Sequence, residues 1–225
     1  MTETGGEEGT EKKWLLAIDP GAPWSDESLQ IFRDWGSGVA ETGVQSEMEW
    51  WAVEAHHRFT GSRAQPPFCA FLSVFADAAF DPAHLGTPTG MQVAILGLRP
   101  QSVFDRSRSE PGCMTPGLKK TTLWRARGDL DPVSWQARYH AHASLVPSVH
   151  GSAWRYCQNV IEEGPTGLPY QAVSELWWPT DEALLERFYT SEEAQRLVAE
   201  DTQGFIDIPS AIQTVTRHER LTRGR

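Results

Sequence analysis

Cysteine is scarce. Cys69, Cys113 and Cys157 are the only three, far apart and odd in number, and no C-x-x-C pair or Cys/His ligand spacing is present. That argues against a disulfide framework or a zinc site and fits reduced thiols in a cytosol. Basic residues are also few: 20 Lys and Arg stand against 30 Asp and Glu, a net charge of -10. Without a basic stripe the chain is not expected to bind nucleic acid. No apolar run approaches the roughly 18 residues of a membrane span, and the acidic N-terminus lacks the basic start of a signal peptide. A phosphate-binding G-x-x-x-x-G-K-[ST] loop, a G-x-G-x-x-G turn, H-E-x-x-H and G-x-S-x-G are all missing. Each of these would have named a cofactor or a chemistry. The absences predict a cytoplasmic protein with no membrane partner, no metal and no cofactor.

Tryptophan, by contrast, is plentiful, with ten in 225 residues. Its flat apolar face and single N–H donor suit either a Trp-rich core or an aromatic-lined pocket for a ring-shaped ligand. The length fits one large domain or two small ones. The excess of acid is front-loaded: MTETGGEEGTE holds four Glu and no base. Residues 1–11 are expected to form a disordered acidic tail.

Lys12–Ile18 reads as a strand stopped by the turn signature Asp19-Pro20-Gly21. Ser25 is placed to cap a helix with Asp26 and Glu27 in its first turn and Leu29, Phe32, Trp35 and Val39 on one face. Gly36 and Gly38 weaken its last turn. Glu47–Phe59, Phe68–Ala79 and Met91–Arg99 read as strands. Proline and glycine cluster from Arg99 to Gly117, which predicts a linker at 107–112 between units spanning 12–106 and 113–225. Beyond it, Lys120–Arg127 reads as a strand. Asp131-Pro132 opens a helix that runs to about Val146. Strands Trp154–Glu162 and Tyr170–Trp178 follow, then helices capped by Thr180 and Ser191, and a last strand Ala211–Leu221. The second half therefore reads β-α-β-β-α-β, the ferredoxin-like order, and the first half reads as a degenerate copy. The fold class expected is α+β, with tandem ferredoxin-like units.

Several stretches of the second half, taken in order, resemble the EthD family of the dimeric α/β-barrel superfamily. They are Trp135-Gln-Ala-Arg138-Tyr139-His-Ala-His142, Trp154-Arg-Tyr156-Cys-Gln158-Asn159 and Ala172-Val-Ser-Glu175-Leu176-Trp177. The segment after Ser191 leading to Asp201 and Phe205-Ile206-Asp207 completes the set. The resemblance covers the span from about Thr121 to Leu221. It implies a four-stranded sheet with two helices on one face, two such sheets associating as a barrel. Here the first half would replace a second subunit, giving an intramolecular α/β barrel, a pseudo-dimeric monomer, with a homodimer as the alternative. The family's fold hosts monooxygenases, decarboxylases, dehydratases, cyclases and isomerases of aromatic compounds, and some related branches bind haem. The expected function is cofactor-independent, His-mediated acid/base chemistry of lyase or isomerase type: dehydration, cyclisation, decarboxylation or isomerisation. Its substrate would be an aromatic or polycyclic, polyketide-like metabolite. The alternatives are a cofactor-free or haem-using monooxygenase and a non-catalytic protein that binds a hydrophobic metabolite.

His142 and Glu175 are the expected catalytic pair. Trp135, Tyr139, His142 and Val146 form one helical stripe facing the sheet. An imidazole there is partly desolvated and neutral, as proton abstraction requires; His142 also matches the recurrent family histidine. The alternative is a core histidine bonded to a carbonyl. Glu175 shares a strand face with Val173 and Trp177, and its partner would be His142 or Arg138. The alternative there is a structural ion pair. Trp135, Arg138, Tyr139, His150, Tyr156, Trp177 and Trp51 are the expected lining of the substrate pocket, with core packing as the competing role for the aromatic ones. Asp201 and Asp207 are expected to brace the end of the second helix. His140 points to solvent, and His56-His57, at a strand end, point to opposite faces.

Overall fold

The computed structural model describes residues 12–77, 79–107 and 112–221. The expected acidic tail and part of the expected linker lie outside them. The first strand, β1 (Lys12–Asp19), shows how the molecule is built. Its side chains alternate, as pleating requires. Trp14, Leu16 and Ile18 pack with Phe32 and Val39 of helix α1 (Asp26–Glu41). Leu15 and Ala17 turn the other way and meet Phe71, Leu123 and Val173. Both faces of the strand are buried.

Three more strands follow in the first half: β2 (Gln45–Trp51), β3 (Ala70–Ala76) and β4 (Gln92–Asp105). The second half supplies β5 (Met114–Trp124), β6 (Arg155–Glu163), β7 (Ala172–Trp178) and β8 (Ile212–Arg220). All pair antiparallel and close into one barrel in the order β1-β3-β2-β8-β5-β7-β6-β4. Each half fills four consecutive places in the ring, and β2 with β8 and β4 with β6 make the two joins between halves. No helix among the described residues is long and apolar enough to cross a membrane.

An eight-stranded ring has room inside for side chains. One end of this interior is apolar, built on Leu15, Phe71, Leu98, Leu123 and Val173. Further along it is charged. Lys119 Nζ lies 2.6 Å from Glu175 and also pairs with Glu49. Lys13 Nζ takes the other Glu175 oxygen, to which Asn159 donates at 2.8 Å. Burial alone would raise the Glu175 pKa, but Lys119 and then Lys13 outweigh it and hold the carboxyl well below the usual carboxylate range. Lys13 and Glu49 belong to the first half and Lys119 and Glu175 to the second, so these ion pairs cross between the two arcs.

Several sequence expectations shift here. Glu47–Phe59 is not one strand. β2 stops at Trp51 and the chain enters helix α2 (Val53–Thr60), which ends at Gly61 with φ 70°. Gly36 does not end α1; it brings the helix onto the sheet, where an added Cβ would lie 2.9 Å from Met48 Sδ. β4 runs past the expected stop at Arg99, through Pro100 to Asp105. Its pairing with β1 ends at Leu98, so the missing Pro100 N–H leaves no bond unmade, and only β6 accompanies the extension. β5 starts within the expected Pro/Gly-rich linker region, and Pro116-Gly117 form a bulge in it. At this bulge Gly117 has φ 78°, and a Cβ would lie 2.0 Å from the Trp178 carbonyl oxygen. Gly117→Ala should lower stability by about 2 kcal/mol or more. A urea-unfolding midpoint unchanged by the substitution would show that the bulge can open without cost.

Candidate active site

The second arc carries a cavity on its outer face, under helices α3 (Pro132–His142), α4 (Val146–Val149) and, beyond the short helix α5 (Asp181–Leu185), α6 (Glu192–Gln203). β5 provides the floor. Alternation sends Lys119, Thr121 and Leu123 into the barrel and Lys120, Thr122 and Trp124 out under the helices. Helix α3 starts as its sequence predicts, with Asp131 accepting from the Val133 and Ser134 N–H groups. It ends at His142 rather than Val146, and Pro147 in the first turn of α4 begins a new helix. The α3 stripe buries Trp135, Tyr139 and His142. Trp135 backs Trp124, ring centroids 5.7 Å apart, and is not in the cavity wall.

His142 is held by a partner that the sequence reading had as a brace. Its Nδ1 lies 2.6 Å from Asp201 Oδ2 on α6. The carboxylate accepts the Nδ1 proton, so the lone pair of the neutral ring sits on Nε2, which has no hydrogen-bond partner among the described residues. Burial lowers the His142 pKa, Asp201 offsets part of this, and Lys120 adds to the lowering. The ring is therefore neutral at pH 7, oriented, and in the cavity wall.

His150 follows α4 and lines the same cavity. Its Nδ1–H donates to the Phe188 carbonyl at 2.6 Å, and its ring stacks on Tyr189 at 5.0 Å. Burial, reinforced by Lys120 and His142, pushes its pKa down to about 4. Tyr139 and Tyr156 also face the cavity. The Tyr139 hydroxyl donates to the Val173 carbonyl at 3.2 Å and lies 2.9 Å from Ser174 Oγ, while Tyr156 accepts from Gln158 at 3.1 Å. Burial raises both phenol pKa values. They are fixed, uncharged walls rather than bases.

Lys120 and Thr122 were not singled out from the sequence. The pair Lys119-Lys120 on one strand was the available signal, because adjacent strand residues must face opposite ways. Lys120 is half-buried, its Nζ 5.2 Å from the Phe188 ring and 5.7 Å from Phe59. It has no carboxylate partner among the described residues, and burial pushes its pKa down to about 8. Thr122 is 8% exposed, and its hydroxyl has no hydrogen-bond partner among the described residues.

Glu175 does not join His142. It lies on the other face of the sheet, sealed in the barrel with Lys119 and Lys13. Trp177 shares that interior, with Arg155 4.2 Å and Lys119 4.3 Å from its ring. Trp51 packs at 5.6 Å against both His56 and His57, outside the cavity wall; those histidines lie on α2, not on a strand. Arg138 is exposed and reaches only the Gly204 carbonyl, at 3.3 Å. His140 is exposed, as expected. Asp207 pairs with Arg125.

The partly enclosed space beside His142 is about 100 Å³. An open cleft of about 570 Å³ adjoins it, the two sharing Lys120, Phe188 and Tyr189. Pockets for drug-sized ligands occupy roughly 300–1,000 Å³. A polycyclic substrate therefore cannot be enclosed beside His142; one small ring fits, with the remainder of a molecule lying in the cleft. A haem does not fit beside His142 either. On the first arc the outward row Trp14-Leu16-Ile18 packs instead against Phe32 and Val39 of α1.

Buried neutral histidines tie stability to pH. His150 and His56 both have pKa values pushed down to about 4, each mainly by burial. The unfolded chain binds protons at these sites from about pH 6.5 downward. Stability should thus be fully present above pH 6.5 and fall toward pH 4, by about 1.4 kcal/mol per pH unit for each histidine. Urea midpoints measured across that range check this. A flat profile would mean that these rings are already protonated in the fold.

No protein-family model matches the chain, and no curated protein does so. Among solved structures it is similar to an anthrone oxidase-like protein, with TM-score 0.59 and 7% identity over 95% of each chain. It is also similar to a proposed monooxygenase from Lactobacillus acidophilus, with TM-score 0.54 and 11% identity over 95% of this chain and 97% of that one. A proposed monooxygenase from Fusobacterium nucleatum gives TM-score 0.50 and 7% identity over 94% and 92%. At these identities the likeness is one of fold: a mixed α+β barrel shared along nearly the whole chain.

Proposed function

We propose that this chain is a small-molecule enzyme in which His142, oriented by Asp201, takes a proton from a one-ring aromatic or enolisable substrate. The observation that carries this reading is the 2.6 Å His142–Asp201 bond at the wall of a partly enclosed cavity, which leaves Nε2 without a partner among the described residues. A neutral imidazole fixed by a carboxylate is a general base in waiting. The carbanion or enolate left behind is the common starting point of isomerisation, dehydration and cyclisation. The EthD resemblance of the second half and a reading of the two arcs as tandem ferredoxin-like units accord with this picture. Glu175 has no part in it.

The structural neighbours described as monooxygenases and as anthrone oxidase-like favour a second reading, in which the same carbanion reduces dioxygen. A CH₂ group and O₂ would then give a carbonyl and water, with His142 again removing the first proton. One experiment serves both readings. A panel of monohydroxylated and dihydroxylated aromatics and cyclic 1,3-diketones is incubated in D₂O, and C–H exchange is followed by NMR beside oxygen uptake. Exchange that needs His142 supports the base. Oxygen uptake coupled to it selects the oxygenase. Exchange at equal rates in wild type and His142→Ala would remove the proposal.

A further inference from the structure

The cavity holds a cation, Lys120, with no carboxylate partner among the described residues. Lys120 stands where this space meets the open cleft, beside the Phe188 and Phe59 rings. Every other lysine in the strands has a carboxylate: Lys12 has Glu163, Lys13 has Glu175, and Lys119 has Glu49 and Glu175. Thr122, two residues along the same face of β5, offers a buried hydroxyl that has no hydrogen-bond partner among the described residues. Desolvated polar groups of this kind are costly unless something pairs with them. The corresponding places on the first arc, Trp14 and Leu16 of β1, are apolar and filled. The polar pair thus stands at a hollow, where the first arc has packed apolar side chains.

We propose that Lys120, with Thr122 beside it, anchors an ionised oxygen of the substrate, a carboxylate or phenolate, so that the substrates are small aromatic or enolisable acids. This rests on the reading of His142 as the base in the same cavity and adds the charge that its substrate carries. An ammonium at that point also lowers the energy of negative charge developing as the proton leaves. The chain's net charge of -10 repels anions at long range, so an anion that binds here does so through a local cation. The titratable groups sharing the two cavities with Lys120 are His56 from α2, His142 from α3, His150 after α4, Tyr139 and Tyr156 on the walls, and Tyr189. Asp201 lies behind His142 and is already engaged with it. Near pH 8, Lys120 is thus the group there whose charge changes.

Benzoate and its neutral isostere benzamide test this by calorimetric titration of the intact protein. Benzoate should bind wild type at least about tenfold more tightly than benzamide, and Lys120→Met should bring the two to equality. Above pH 8 the benzoate affinity should fall by about tenfold per pH unit, while benzamide binding stays flat. Lys120→Arg should keep the preference for the anion. Equal binding of the two probes to wild type, no binding of either, or a preference that survives in Lys120→Met would overturn the anchor. If Lys120→Met does not fold, the wild-type pH series and Lys120→Arg decide alone. His142→Ala should still prefer benzoate. If that preference holds while proton exchange is unaffected by the loss of His142, the anchor stands and the acid/base reading falls.

Discussion

His142→Ala should slow proton transfer by roughly 10²- to 10⁴-fold, the usual worth of a positioned base. Substrate binding should change little, because the anchoring charge lies elsewhere. Asp201→Asn is the more searching variant. The amide oxygen can still accept the Nδ1 proton, so the ring keeps its place, but the carboxylate charge is gone. Asp201 raises the His142 pKa against the lowering effect of burial. Its loss should therefore move the acid limb of the rate profile to lower pH, as well as reducing the maximum. A residue that merely braces the end of α6 would lower the rate without displacing that limb. A rate profile for Asp201→Asn that coincides in shape with wild type would thus assign Asp201 a structural part only.

Glu175→Ala should be the most damaging single change to the fold. Among the described residues it leaves Lys13 with no carboxylate and Lys119 with Glu49 alone, deep in the barrel. Removing one partner of a buried ion pair costs roughly 3–5 kcal/mol, against a total stability of about 5–15 kcal/mol for a typical domain. The variant should unfold at a much lower urea concentration or accumulate as insoluble protein. Replacing Lys13, Glu49, Lys119 and Glu175 together by apolar residues of similar volume should cost far less, since no charge is then left unpaired. Equal losses from the single and the fourfold change would show that shape, not charge, governs this part of the interior. The Glu175 carboxyl is held well below its usual range. Its contribution is therefore present above an unfolded carboxylate's pKa of about 4.3 and is lost as pH falls below it.

Much of this architecture was legible in the sequence because its signals are local. Ser25, Asp131, Thr180 and Ser191 each cap the helix they were expected to cap. Trp-Trp at 50–51 misled, because two large aromatics suit a strand and hid the helix that begins two residues later. Gly61 was the stop signal that went unused. The site was half legible for a geometric reason. Period two assigns Val173, Glu175 and Trp177 to one face, and the helical stripe points His142 at the sheet. Both inferences describe the arrangement found, yet in a closed barrel covered by helices the sheet has two buried faces. Pattern alone does not say which of them is meant. Glu175 took the inner face and His142 the outer, with a sheet between them. Asp201 was visible as a family-like position but not as a partner, because its meeting with His142 depends on how α6 lies across α3.

The ring closure has one more consequence. An open four-stranded sheet presents two rows of unpaired N–H and C=O groups to which a foreign strand can add. Here β2 is sealed by β8 and β4 by β6 within a single chain. Among the described residues, free ladder remains along β4 beyond Leu98, where Pro100 interrupts the donors, and along β5 before Leu118, where Pro116 does the same. Strand-to-strand aggregation is therefore discouraged from the moment the barrel shuts.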